Sequence, residues 1–258
     1  MQISPNNLIC VIITIMNNPK ILIIIPAYNE SKNISSVLDE LKTNVSYADI
    51  LVVNDCSTDN TADIVKKANI NCITNLFNMR YAWAVQTGIK YANAHNYDFA
   101  ILMDADGQHI AKEAEKLYKT AADSNSDIVI GSRYLKDLGY PCPFFRKIGT
   151  KFFSKLIKLF TKQKIADPLS GFQCINKKVI NYYAGCGNYP EFPDANLIIE
   201  MLLKGYKITE VPVKMRTREN GVSMHSGIWK PIKYMVTQFY TCIVIFVKYA
   251  GKRKVNHE

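Results

Sequence analysis

The sequence predicts an α/β fold: a mostly parallel sheet flanked by helices, with amphipathic helices in the C-terminal half. Two observations predict it. Short apolar runs rich in Ile and Val alternate with stretches that carry apolar residues at helical spacing, the pattern of strand–helix–strand units. Three polar clusters, PAYNE, NDCSTDN and DADGQH, each start where such a run ends, and in open α/β sheets ligands lie beyond the carboxyl ends of the strands. The 258 residues, 48% hydrophobic and 21% charged, allow an ample core and are too apolar for a disordered chain.

Residues 1–19 are expected to be an N-terminal extension. LICVIITIM is apolar but far shorter than the ~20 residues of a spanning helix. No basic residue precedes it, no small-residue cleavage site follows, and Met16 offers a second start. Residues 21–25 form a continuous β-branched run, which suits a strand buried on both faces and stopped by Pro26. Residues 31–42 then put Ile34, Val37, Leu38 and Leu41 on one helical stripe. A second strand covers 50–53, and Asp59 caps a helix carrying Ala62, Val65 and Ala68. A weak third strand at 72–74 precedes a helix at 84–94. Strands follow at 99–103 and 128–130, with a helix at 112–122 between them. The later chain is less regular: a basic helix at 144–159, a strand at 172–175, a helix at 196–204, a strand at 211–215 and a final helix at 229–249. These elements suggest one catalytic domain over 20–225 and a basic amphipathic helix and tail over 226–258.

DADGQH places Asp104 and Asp106 one residue apart just past the fourth strand. Their repulsion is relieved if a divalent cation sits between them and a polyanion. Hard oxygen ligands suit Mg²⁺ or Mn²⁺, which keep positions for water and substrate phosphates. A nucleotide-sugar diphosphate fits, because the metal neutralises charge on the leaving nucleoside diphosphate. Asp-Gly is equally an ordinary turn pair. Asp55 is placed to accept hydrogen bonds from a nucleobase or ribose, whereas Ser57, Thr58 and Asp59 serve as helix caps. Asn29 and Glu30 offer polar groups at the start of the next helix, where a cap and a favourable dipole contact also explain them.

ILIIIPAYNE, VVNDCSTDN, DADGQH, GSRY, DPLSGFQ and EVPVKMRTREN with GVS occur in the order and spacing of the family 2 glycosyltransferases of the GT-A fold. From about residue 20 to 223 the chain resembles the dolichyl-phosphate mannosyltransferase branch, which moves a sugar from a nucleotide onto a polyprenyl phosphate. The resemblance implies a GT-A (Rossmann-like) sheet and roles at matching positions. Glu30 and Asp55 would bind the nucleoside, with Pro26, Ala27 and Tyr28 shaping the pocket. Asp104 and Asp106 would address ribose, diphosphate and metal, with Gln108 as a further metal ligand. Arg133 and Arg146 would hold the acceptor phosphate; Arg218 would lie near the donor diphosphate, in the motif that Ser223 closes. Asp106, Arg133, Arg146 and Arg218 are the catalytic set this implies. Two segments depart from the family pattern. The glycine-rich NxGxGGA appears as NMRYAWA, with Arg80, Ala82 and Trp83 in place of glycines, so side chains stand where backbone approaches a ligand. Gln173 replaces the usual arginine of SGFR.

Lys plus Arg outnumber Asp plus Glu by 32 to 22, a formal +10, which favours an anionic partner. The surplus concentrates in FFRKIGTKFFSKLIKLFTKQK, with seven basic residues and no acid. Phe145, Ile148, Phe152, Leu156 and Leu159 recur there at helical spacing, which suits a helix lying in an anionic membrane interface and equally a core-packed helix with a solvated face. YMVTQFYTCIVIFV near the C-terminus is flanked by basic residues and falls short of a span. It reads either as peripheral membrane contact, with a small integral membrane partner, or as packing against the catalytic domain. No nucleic-acid module is recognisable, so no nucleic-acid partner is expected. Seven scattered cysteines without a CxxC pair are those of a reduced, cytoplasmic protein, here at the inner face of the membrane. His109 and His225 have no partner at metal-ligand spacing.

A phosphate acceptor is already ionised and needs no general base, so inverting transfer to a polyprenyl phosphate reduces to positioning and charge stabilisation. A sugar-hydroxyl acceptor would need a carboxylate base; Asp194 and Glu200 are the candidates, without a clear ED motif. A catalytically weakened nucleotide-binding membrane scaffold is the third alternative, and NMRYAWA is its support.

Overall fold

The structure is a computed structural model that describes residues 19–141, 144–217 and 229–255. The elements run β1 (Ile21–Ala27), α1 (Ile34–Asn44), β2 (Asp49–Asn54), α2 (Thr61–Lys67), β3 (Asn71–Thr74), α3 (Tyr81–Ala94), β4 (Phe99–Leu102), α4 (Ala111–Ser124) and β5 (Ile128–Ser132). They continue as α5 (Phe144–Thr161), β6 (Gln173–Asn176), α6 (Lys177–Ala184), α7 (Ala195–Leu203), β7 (Ile208–Pro212) and α8 (Trp229–Val255).

The strands form one sheet in the order β3-β2-β1-β4-β6-β5-β7. β1 pairs parallel with β2 and β4, and β5 pairs parallel with β7. β6 runs antiparallel to both its neighbours. The expected mostly parallel sheet is therefore present, with one reversed strand inside it. Alternation along β1 explains the two cores: Ile21, Ile23 and Ile25 face the layer of α1, α2 and α4, where Val37, Leu38, Val65 and Leu117 are buried. Leu22 and Ile24 face the layer of α3, α5, α6 and α7, with Val85, Phe153, Ile180 and Ile199. Gly88 lets α3 lie directly on β1, since a Cβ there would sit 2.3 Å from Ile24 Cγ2.

Some boundaries differ from the sequence reading. Pro26 does not end β1; it stays in register opposite Val53. Its missing N–H is no obstacle there, because pairing with β4 ends at Ile24↔Leu102 while pairing with β2 runs on to Ala27↔Asn54. β7 starts at Ile208 and ends at Pro212, three residues earlier than expected, because Ile128↔Ile208 to Ser132↔Pro212 is the register that matches β5. α6 was not anticipated. It is short and begins on an Asn176 side chain that accepts from Val179 N–H, a capping signal hidden directly behind a strand.

On α5 the stripe facing the core is Phe153, Leu156 and Ile157. Ile148, Phe152 and Leu159 are exposed instead, so the expected single stripe is split between core and surface. α8 buries Gln238 and Cys242 inward and exposes Ile232, Val236, Phe239, Tyr240, Ile243, Val244 and Val247 outward. The two helices touch through Phe152–Phe239 (ring centroids 5.8 Å) and the stacked Phe160–Phe246 pair (4.1 Å). No helix among the described residues is long and apolar enough to cross a membrane.

Candidate active site

PAYNE, NDCSTDN and DADGQH leave the carboxyl ends of β1, β2 and β4, which are neighbours in the sheet. Parallel pairing brings all three loops to one edge. Asp55 N–H donates to Ala27 O (2.8 Å) and Met103 N–H to Ile24 O (3.0 Å), continuing the ladders into the loops. Pro26 and Ala27 are buried at the end of β1, while Tyr28 is exposed. Asn29 links the first two loops: its N–H donates to Ser57 Oγ (3.0 Å) and its Oδ1 accepts from Thr58 N–H (2.8 Å). Glu30 anchors the start of α1, accepting from Asn33 Nδ2 at 2.6 Å while its own N–H donates to Thr61 Oγ1 (2.9 Å). Asp55 is buried, and its Oδ1 accepts from Asn75 Nδ2 (2.8 Å) and Met79 N–H (2.9 Å). It thereby fixes the loop after β3 that leads into NMRYAWA.

That altered segment does not fill the cleft with bulk. Ala82 packs into the core and Trp83 turns to the surface. Arg80 adopts φ 73° and ψ 165° immediately before α3, a region that is nearly glycine-only. Its Nη1 lies 2.6 Å from Glu191 Oε1, in the loop before α7. Tyr81 points inward, and its hydroxyl donates to Asp104 Oδ1 at 2.9 Å.

In the DADGQH turn, Asp106 Oδ1 accepts from Gln108 N–H (3.0 Å), and Gly107 takes φ 79°. Gln108 also bonds the strand-like segment after β7: Arg216 N–H donates to Gln108 O (2.8 Å) and Gln108 Nε2 donates to Arg216 O (3.2 Å). His109 is buried, stacked on Phe172 at 4.5 Å, and its Nδ1 accepts from Asp104 N–H at 3.0 Å. Burial pushes its pKa down to about 4, which keeps Nδ1 free of a proton and able to accept. Among the described residues no three His, Cys, Asp or Glu side chains converge on one point. The Asp104 and Asp106 carboxylates and the Gln108 carboxamide, the ligands expected from the sequence, are hard oxygen donors. That set fits Mg²⁺ or Mn²⁺ completed by water and phosphate, and does not fit a closed structural site.

Arg133 follows β5. Its Nε and Nη2 grip Asp167 at 2.7 and 2.8 Å, and Nη2 also donates to Leu169 O (3.1 Å). This buried bidentate pair raises the guanidinium's hold on its proton, against the cost of burial. The guanidinium lies over the rings of Tyr134 and Tyr140, 5.4 and 5.6 Å from their centroids. Arg146, at the start of α5, donates to Tyr140 Oη at 3.0 Å, so Tyr140 joins the two arginines expected to act together. Gln173 is buried and donates to Ser170 O (2.9 Å), a loop-holding role. Arg218 and Ser223 lie outside the described residues.

Asp194 stands just before α7 and does not cap it. Its Oδ2 accepts instead from Tyr234 Oη (2.5 Å) and Gln238 Nε2 (3.1 Å) of α8. Burial raises its pKa to about 6, against those hydrogen bonds; Arg133 lowers it and Asp104 raises it, so its carboxyl shares one electrostatic field with the cleft. Glu200 is committed elsewhere, accepting from Tyr182 (2.9 Å) and Tyr249 (2.8 Å).

This assembly of paired acids and arginines on a parallel sheet has relatives. The family described as Glycosyl transferase family 2 matches residues 22–183, more than half of the chain. The chain belongs to that family. This glycosyltransferase is 30% identical over 220 residues to a UDP-N-acetylglucosamine–dolichyl-phosphate N-acetylglucosaminyltransferase of Methanococcus voltae, covering 77% of this chain and 86% of the relative. It is 33% identical over 220 residues to a dolichol-phosphate mannosyltransferase of Pyrococcus furiosus, covering 81% of this chain and 60% of that longer protein. Its fold matches a mannosyltransferase from Pyrobaculum calidifontis solved with GDP-Man and Mn²⁺, at TM-score 0.63 and 18% identity, over 87% of this chain and 64% of that one. The glycosyltransferase thus has the GT-A sheet that the six motifs implied. The residues missed from sequence were Tyr81, Tyr140 and Asp167. Tyr81 precedes the helix expected over 84–94, Tyr140 lies in a segment without apolar periodicity, and Asp167 belongs to a motif that names no partner for its charge.

Proposed function

We propose that this glycosyltransferase carries out inverting, metal-dependent transfer of a sugar from a nucleotide-sugar donor to a polyprenyl phosphate, working as a peripheral protein on an anionic membrane face. One observation carries the acceptor: Arg133 and Arg146 meet across Tyr140, and Arg146 opens α5, whose exposed Ile148, Phe152 and Leu159 continue into the outward stripe of α8. The described part of these two helices has many lysines and no acid. An apolar, basic ledge beside two guanidinium groups suits a lipid phosphate. The named relatives that act on dolichyl phosphate support the same acceptor class.

Asp55 and Glu30 would engage the nucleoside, with Pro26, Ala27 and Tyr28 as walls. Asp104, Asp106 and Gln108 would hold Mg²⁺ or Mn²⁺, which when bound supplies charge neutralisation to the departing diphosphate. Arg218, with Ser223, would help at the same diphosphate. Arg133 and Arg146 orient the acceptor phosphate oxygen for attack on the anomeric carbon, with no base required. Asp194 is the only one of the two acids considered as a base that faces the cleft's field, and it serves the alternative of a sugar-hydroxyl acceptor.

The test is calorimetry of UDP and GDP, with and without Mn²⁺, on the wild-type protein and Asp106→Ala. Expected is metal-dependent binding of one nucleotide by the wild type, loss of that metal dependence in D106A, and an unchanged melting temperature. A D106A protein that keeps metal-dependent binding and transfer would sink the assigned role; no binding to either nucleotide favours the scaffold alternative.

A further inference from the structure

A carboxylate that binds a cation must be presented in one orientation, and in DADGQH the neighbouring Asp106 repels Asp104 whenever the cation is absent. The main chain of Asp104 is fixed from one side: its N–H donates to His109 Nδ1 at 3.0 Å, and His109 is itself clamped on Phe172. The carboxylate is fixed from the other side by Tyr81, whose hydroxyl lies 2.9 Å from Oδ1. Tyr81 is the first residue of α3, so the helix carried by Gly88 against β1 sets its position. The opposite wall is cut away to admit the phenol. A Cβ on Gly171 would stand 3.0 Å from Tyr81 Oη and 3.8 Å from Asp104 Oδ2, so a side chain there would press on the hydroxyl first.

We infer that Tyr81 is the positioning residue that sets the orientation of the Asp104 carboxylate for the divalent cation. The inference rests on the metal-binding role proposed for Asp104. Groups that hydrogen-bond a metal ligand from behind typically contribute 10- to 100-fold to metal affinity. Tyr81, between the Arg80 and Ala82 departures of NMRYAWA, thereby makes that segment a support for the site.

The experiment measures free Mn²⁺ by electron paramagnetic resonance, titrated against wild type, Tyr81→Phe, Gly171→Ala and Asp104→Ala with whichever of UDP or GDP the wild type takes. Y81F removes only the hydroxyl. Its Mn²⁺ dissociation constant is expected to rise about tenfold, with unchanged metal-free nucleotide affinity and an unchanged melting temperature. G171A, whose added methyl would crowd the Tyr81 hydroxyl at 3.0 Å and only graze Asp104 Oδ2 at 3.8 Å, is expected to shift the same constant in the same direction, and D104A to abolish binding. Wild-type Mn²⁺ affinity in both Y81F and G171A, alongside loss in D104A, overturns the role of Tyr81 and leaves the metal site standing. Should D104A bind Mn²⁺ as the wild type does, or the wild type bind none with either nucleotide, the metal reading of Asp104 fails and this inference with it.

Discussion

Arg80 holds φ 73° and ψ 165° because the turn into α3 is set by the whole sheet, and Asp55, Asn75 and Met79 fix the chain just before it. A non-glycine residue in this region costs of order 1–3 kcal/mol, while its exposed ion pair with Glu191 contributes at most about 1 kcal/mol. Two substitutions separate these terms. Both Arg80→Gly and Arg80→Ala remove the ion pair, but only glycine relieves the backbone. R80G is expected to exceed R80A in unfolding free energy by about 1–2 kcal/mol in urea titrations; equal stability would mean that the turn relaxes around alanine. At this scale the sequence was most legible where a motif follows a strand. Asp104, Asp106 and Asp55 stand at the sheet edge as expected. Tyr81 and Asp167 were invisible because their meaning lies in partners 23 and 34 residues away, and no local spacing encodes such distances.

At the scale of elements, the junction of α7 with α8 is expected to depend on pH. Asp194 has its pKa raised to about 6 from 3.8, so between those values the folded protein holds a proton that the unfolded chain has released. Stability contributed by this group is present below pH 4 and is lost as pH rises through 6. Asp194→Asn keeps the acceptor for Tyr234 and carries no charge. The melting temperature of the wild type is expected to fall relative to D194N across pH 4 to 6.5, and a constant difference would refute the shift. Strands and long helices were readable from their periods because both faces of β1 and one face of α1 are fully buried. The split stripe of α5 was not, since one apolar pattern serves two surfaces: Phe153 packs into the core beneath the sheet, whereas Phe152 lies outward against Phe239 of α8.

At the scale of the whole molecule, the formal +10 matters less than its confinement to α5, α8 and their surroundings. Binding to vesicles containing anionic lipid is expected to weaken with salt as headgroup attraction is screened. Val236→Asp with Val247→Asp, both on the outward stripe of α8, is expected to weaken it at least tenfold, from lost apolar burial and added repulsion. Nucleotide affinity in solution should not change. Cosedimentation with vesicles checks both, and undiminished binding of the double variant would instead place the stripe against another protein.

The reversed strand has a consequence for how the chain assembles. β3, β2, β1 and β4 can pair as soon as the first hundred or so residues exist, whereas β5 finds no neighbour until β6 inserts between it and β4. Two antiparallel ladders must therefore close together, across a connection that includes all of α5. Contacts of such long sequence separation form slowly, and an unpaired β4 edge is an invitation to aggregate while it waits. The half of the sheet that carries PAYNE, NDCSTDN and DADGQH is thus expected to pair first. The Arg133–Asp167 pair, which spans β5 and the approach to β6, can close only once the other half has joined it.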